Sequence, residues 1–104
     1  MRESVGMSED RARRGDRARR RVTVRGRVQG VFFRDSVRER ARSHGVSGWV
    51  CNRGDGAVEA VLEGAPEAVE RVVRFCQTGP PRADVDDVEV TEEPPEGLSG
   101  FQVR

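Results

Sequence analysis

Few residue types in this chain can do chemistry, and their scarcity narrows the choice. All 19 basic residues are arginine, there is no lysine or tyrosine, and His44 is the single histidine. That removes a lysine Schiff base and a P-loop lysine, and leaves one imidazole as a candidate general base. The most informative stretch is Gly26-Arg-Val-Gln-Gly-Val-Phe-Phe-Arg34, which falls between a strand pattern and a helix pattern. Main-chain N–H groups in such a turn belong to the first turn of the helix and have no intrahelical acceptor. Gly30 lets the chain turn closely around a ligand. Successive N–H groups there form an anion nest that the helix dipole reinforces. Arg34 adds a planar, permanently charged fork matched to phosphate oxygens. The inference is a compact site for one phosphoryl-like anion. A tight strand-to-helix turn with a solvated arginine uses the same residues, and the loop alone leaves both readings open.

Other polar residues invite plainer readings. Asn52 precedes Arg53-Gly-Asp-Gly56 and has the character of a turn residue. Asp35 suits a helix N-terminus through the dipole, although a carboxylate there would weaken binding of a neighbouring anion. His44 suits the C-terminal end of the same helix, and Trp49 reads as packing. Cys51 and Cys76 form no C-x-x-C pair and have no histidine at metal spacing, so they are expected to be free thiols. No ligand set for a metal or cofactor is legible.

The elements that must hold these residues follow from periodicity. Val22, Val24 and Val28 alternate with Thr23, Arg25 and Arg27, the pattern of a half-buried strand. Phe33, Val37, Ala41 and His44 share one face of a helix that Gly45 would stop. Residues 46–52 read as a second strand, Asp55-Gly56 as a hairpin turn, and 57–63 as a third strand with Val58, Ala60 and Leu62 on one face. Pro66 opens a helix with Val69, Val72, Val73 and Cys76 inward, closed by Gly79-Pro80-Pro81. Val88 and Val90 mark a fourth strand, and Phe101 with Val103 a short last one. The order predicts an α+β fold: a ferredoxin-like βαββαβ sandwich with an added C-terminal strand. Two helices would cover one face of a mainly antiparallel sheet, with the opposite face largely solvated.

At 104 residues there is room for one domain, and 36% charged residues against 35% hydrophobic ones leave it a modest core. Residues 1–20 carry seven arginines against four acids and have nothing to bury, so they predict a disordered basic extension before a domain over 21–104. The remaining twelve arginines face fourteen acids, so a nucleic-acid face would have to come from the extension alone. Nucleic acid is therefore not expected as a partner. No apolar run approaches the roughly 20 residues that span a bilayer, and no h-region follows the basic start. A cytoplasmic monomer is expected.

Two motifs together carry a resemblance. Gly26-x-Val28-Gln29-Gly30-Val31-x-Phe33-Arg34 is followed by Gly48-Trp49-Val50-x-Asn52-x-x-Asp55-Gly56-x-Val58-Glu59. Their order and separation, with Glu63-Gly64, Gly79-Pro80-Pro81 and Gly100-Phe101 beyond them, resemble the acylphosphatase family over residues 21–104. The resemblance implies hydrolysis of the carboxyl–phosphate anhydride of small acyl phosphates to carboxylate and inorganic phosphate, without a metal or cofactor. It implies that Arg34 and the loop N–H groups of Gln29, Gly30, Val31, Phe32 and Phe33 bind the phosphate. It implies that Asn52 positions the attacking water. The chain departs from many members of the family at Val37, where they carry threonine. Rival functions are a carbamoyl-phosphate-handling domain like that of the hydrogenase-maturation carbamoyltransferases, or a non-catalytic ferredoxin-like binding module. An RNA-binding version of the fold would need aromatic residues on its central strands, and residues 57–63 offer none.

Overall fold

The computed structural model describes residues 17–104. The expected extension therefore lies outside the described residues up to position 16. The chain forms β1 (Ala18–Arg27), α1 (Phe33–Ser43), β2 (Ser47–Asn52), β3 (Val58–Gly64), α2 (Pro66–Thr78), β4 (Asp84–Glu93) and β5 (Phe101–Val103). One sheet holds all five strands in the order β4-β1-β3-β2-β5. All neighbours are antiparallel except β2 and β5. This is the expected ferredoxin-like α+β arrangement with its extra strand.

The core lies between the sheet and the helices. Val22 and Val24 of β1 stand opposite Ala60 and Val58 of β3, and with Leu62 they present one apolar face. Phe33, Val37 and Ala41 of α1 and Val69, Val72, Val73 and Cys76 of α2 close over it. The period of 3.6 and the period of 2 thus converge on one layer. Val37 is fully buried in that layer. No helix among the described residues is long and apolar enough to cross a membrane.

Two expectations need correction. The boundary placed at Arg21 cuts through β1, which begins at Ala18. Three arginines in a row hid the strand, yet Arg19 is only 5% exposed because its guanidinium bonds Glu63 and Glu93. The second correction concerns the sheet face away from the helices, which is not largely solvated at its centre. Val61 and Glu63 are both 0% exposed there. Arg21, Val61 and Trp49 stand side by side on β1, β3 and β2. Guanidinium groups of Arg21 and Arg104 lie 5.7 and 4.6 Å from the Trp49 ring centroid and cover it. The connection from β4 to β5 must pass from one sheet edge to the other, and its Glu96 and Leu98 N–H groups bond the Glu63 carboxylate.

Candidate active site

The loop between β1 and α1 gets its shape from two left-handed residues. Gly30 has φ 76° and Phe32 has φ 65°, and Phe32 is the only non-glycine with positive φ among the described residues. Just upstream, Gly26 sits where the β1–β4 register slips, and a Cβ there would collide with the Asp84 carbonyl oxygen. The bulge redirects the chain as it leaves the sheet. The loop then enters α1 with Phe32 as N-cap and no side chain capping the helix. The first α1 bond runs from the Ser36 N–H to the Phe32 carbonyl. Among the described residues, the N–H groups of residues 30 to 35 meet no acceptor. Donors at a helix start carry the positive end of its dipole and suit an anion.

Gln29 ties this loop to the second motif. Its Nε2 donates to the carbonyl oxygens of Arg53, at 2.8 Å, and Ala57, at 3.0 Å. Those carbonyls belong to the β2–β3 turn, which is closed by Arg53 and Gly56 N–H bonds and by the Asp55 carboxylate accepting from the Ala57 N–H at 3.1 Å. That backbone N–H, with the charges of Arg25 and Arg53, outweighs desolvation and holds the Asp55 carboxyl below its ordinary range. The turn in turn fixes the end of β2, where Asn52 stands opposite Val58.

A cavity of about 270 Å³ opens between these elements. Val28, Gly30, Phe32, Phe33, Arg34 and Asp35 line it from the loop and the start of α1, and Asn52 from β2. Two residues of the expected phosphate set do not line it. The Gln29 side chain is engaged with the hairpin, and Val31 points into the core. Arg34 is half-buried and donates from Nη1 to the Arg104 main-chain oxygen at 3.1 Å. The Asn52 amide makes no hydrogen bond to any described residue. Asp35 pairs with Arg38 at 3.5 Å, which draws its carboxylate along the helix. Among the described residues, no group of three or more His, Cys, Asp or Glu side chains is placed to hold a metal ion.

The site is therefore a cation, a row of free N–H groups and one free amide around a small cleft, with no imidazole. The acylphosphatase family model matches residues 20–103. This chain belongs to the acylphosphatase family. It is 64% identical over 85 residues to an acylphosphatase of Rubrobacter xylanophilus, covering 81% of this chain and 77% of that one. The structure of an acylphosphatase from Coxiella burnetii superposes with a TM-score of 0.84 at 39% identity, over 88% of this chain and 97% of that one. The same fold occupies a small part of a longer protein, HypF of T. kodakarensis. There the TM-score is 0.73 at 35% identity, over 84% of this chain and 12% of that one.

Two contributors to the site were not anticipated from sequence. Gln29 was read as a phosphate ligand, and its link to the hairpin joins residues 24 and 28 positions apart. Arg104 meets Arg34 across 70 positions. No local pattern reports such pairings. The side-chain amide in a loop otherwise built of glycine and apolar residues was the one available hint for Gln29.

Proposed function

We propose that the chain hydrolyses small acyl phosphates with Arg34 and the loop N–H groups holding the phosphoryl group and Asn52 orienting the water. Family membership supports the reaction. The convergence of Arg34, the unpartnered N–H groups and the unpartnered Asn52 amide on one cleft supports the roles. The water oxygen attacks phosphorus as the bond to the acyl oxygen breaks, and the carboxylate leaves with that electron pair. A carboxylate is a weakly basic leaving group, and the phosphoryl oxygens can take the water's proton. No side-chain base is then required, and positioning with electrostatic stabilisation carries the rate. The reading is of a cytoplasmic monomer that acts without metal, takes acyl phosphates as substrates and inorganic phosphate as product and competitive inhibitor, and has no nucleic-acid partner.

The test is steady-state hydrolysis of a panel of acyl phosphates by the full chain after dialysis against EDTA, with inorganic phosphate as inhibitor. Turnover should survive EDTA. Arg34→Ala should weaken phosphate inhibition and lower kcat as well, since the guanidinium meets the phosphate before and during bond cleavage. Lysine at that position should rescue only in part. Asn52→Ala should lower kcat on the order of 10²-fold or more while phosphate affinity stays within a few-fold. A folded Arg34→Ala that binds phosphate normally would move the anion site elsewhere. Near-native kcat in Asn52→Ala would remove the water-positioning role.

A further inference from the structure

Phe32 is out of place by two independent measures. It adopts a left-handed backbone conformation, φ 65° and ψ 25°, that suits glycine and strains a residue with an aromatic side chain. Its ring is 70% exposed, and the only comparable large apolar side chain among the described residues is Val90, 44% exposed on an edge strand. A glycine would meet the backbone demand without strain and without exposing a ring to water. Strained residues persist where a site over-determines them, and this one lines the cleft that contains Arg34 and Asn52.

The other apolar residues of the cleft, Val28 and Phe33, are buried and already packed in the core. The Phe32 ring is thus the apolar surface left open at its mouth. With the phosphoryl group held by the N–H groups and Arg34, the acyl group must project away from them. We infer that Phe32 is a specificity-determining residue whose ring receives the acyl group and selects acyl phosphates with an uncharged aromatic or bulky apolar acyl part over small ones. This rests on the hydrolase reading above. Ring-to-ring contact in an offset or edge-on arrangement supplies the preference.

The experiment compares benzoyl phosphate with acetyl phosphate for the unmodified chain, Phe32→Gly and Phe32→Tyr. The unmodified chain should show the higher kcat/KM for benzoyl phosphate. Phe32→Gly should reduce the benzoyl-to-acetyl ratio of kcat/KM by about three- to tenfold, mainly through KM, while Phe32→Tyr should keep it. Both substrates share the phosphoryl group, so any loosening of the loop lowers both and cancels in the ratio. An unchanged ratio in Phe32→Gly, with both substrates still turned over, would overturn the assignment of Phe32 alone. Failure of the unmodified chain to hydrolyse either substrate would overturn the hydrolase reading beneath it.

Discussion

The two ends of the central strand β3 handle polar groups in opposite ways. At its C-terminal end Glu63 is fully buried and fully satisfied. The carboxylate accepts from the Glu96 and Leu98 N–H groups, each at 2.7 Å, and from Arg19 at 3.3 Å, with Arg17 3.5 Å away. Glu93 extends the cluster by bonding both Arg19 and Arg21. At the other end, beyond Val58, the Asn52 amide and the first N–H groups of α1 have no partner among the described residues. A satisfied buried network rigidifies, and an unsatisfied set of donors is what a ligand can complete. One end of the sheet fastens the crossover from β4 to β5, and the other leaves hydrogen-bonding capacity open, which is what the proposed site requires.

The largest effect should come from breaking the fastened end. Glu63→Ala removes one of the two carboxylates that Arg19 bonds, leaving Glu93, and strands the Glu96 and Leu98 N–H groups, so unfolding free energy should fall by about 3–5 kcal/mol. Glu63→Gln, which keeps the shape, should lose less and allow measurement if the alanine variant does not fold. Burial alone would push the Glu63 carboxyl up, but the Glu96 and Leu98 N–H groups and Arg19 outweigh it and hold the group below the ordinary glutamate value of 4.5. Arg21 and Arg19 hold Glu93 low in the same way. A depressed carboxyl contributes stability that is complete above the unfolded value and lost as pH falls through the folded one. Denaturant unfolding should therefore weaken below about pH 4.5, and Glu63→Gln should flatten that acid limb. Folded variants should keep kcat within about threefold, because Glu63 is some 17 Å along the strand from Val58. A collapse of kcat in a folded variant would join the two ends that the comparison separates.

This contrast was only half legible in the sequence. Local signals were strong. The alternation of Val22 and Val24, the spacing of Phe33, Val37 and Ala41, and the Asp55-Gly56 turn each mark an element through its own neighbours, and all three elements formed. The loop and the turn that line the cleft were legible for the same reason, whereas the links that Gln29 and Arg104 make to them were not. The fastened end was not. Glu63 alternates with apolar residues as a solvent-facing glutamate would, and its burial depends on a crossover more than 30 positions away. The strand β4 was equally muted. It runs ten residues, but six of them are Asp or Glu and it pairs on one side only, so only Val85, Val88 and Val90 are apolar, and Val88 and Val90 alone marked it. Charge on an exposed edge blocks pairing with another chain and also erases the alternation that reveals a strand.

A smaller effect should come from loosening the open end without removing any group from the cleft. Gln29→Ala deletes two hydrogen bonds between the loop and the β2–β3 turn, so the phosphate cradle and Asn52 lose their shared reference. Misplacement of reacting groups by a fraction of an ångström should lower kcat by about tenfold. Thermal unfolding should record a loss of about 1–2 kcal/mol, two net hydrogen bonds at the turn. Gln29→Glu should not rescue kcat, since a carboxylate cannot donate to two carbonyl oxygens. If Gln29→Ala instead weakens phosphate inhibition and leaves kcat near native, Gln29 serves the anion directly and the strut reading is wrong.

The smallest effect should come from the residue that general-base chemistry would name first. His44 is the chain's only histidine, and it caps α1 from the far end, with its N–H bonded to the carbonyls of Arg40 and Ala41. Ten residues of helix separate it from Arg34, about 15 Å at 1.5 Å per residue. Its half-buried side chain lines a surface groove with Arg40, Arg74 and Phe75 and takes no part in the cleft around Asn52. His44→Ala should therefore leave kcat within about threefold, against the 10²- to 10⁴-fold losses that follow removal of a general base. A bell-shaped pH profile would not restore an imidazole mechanism, because the substrate's own phosphate titrates in the same range. A fall of more than about a hundredfold in a folded His44→Ala variant would restore it. Proton transfer would then reach across the helix, and the division between a fastened end and a substrate end would no longer describe how this sheet works.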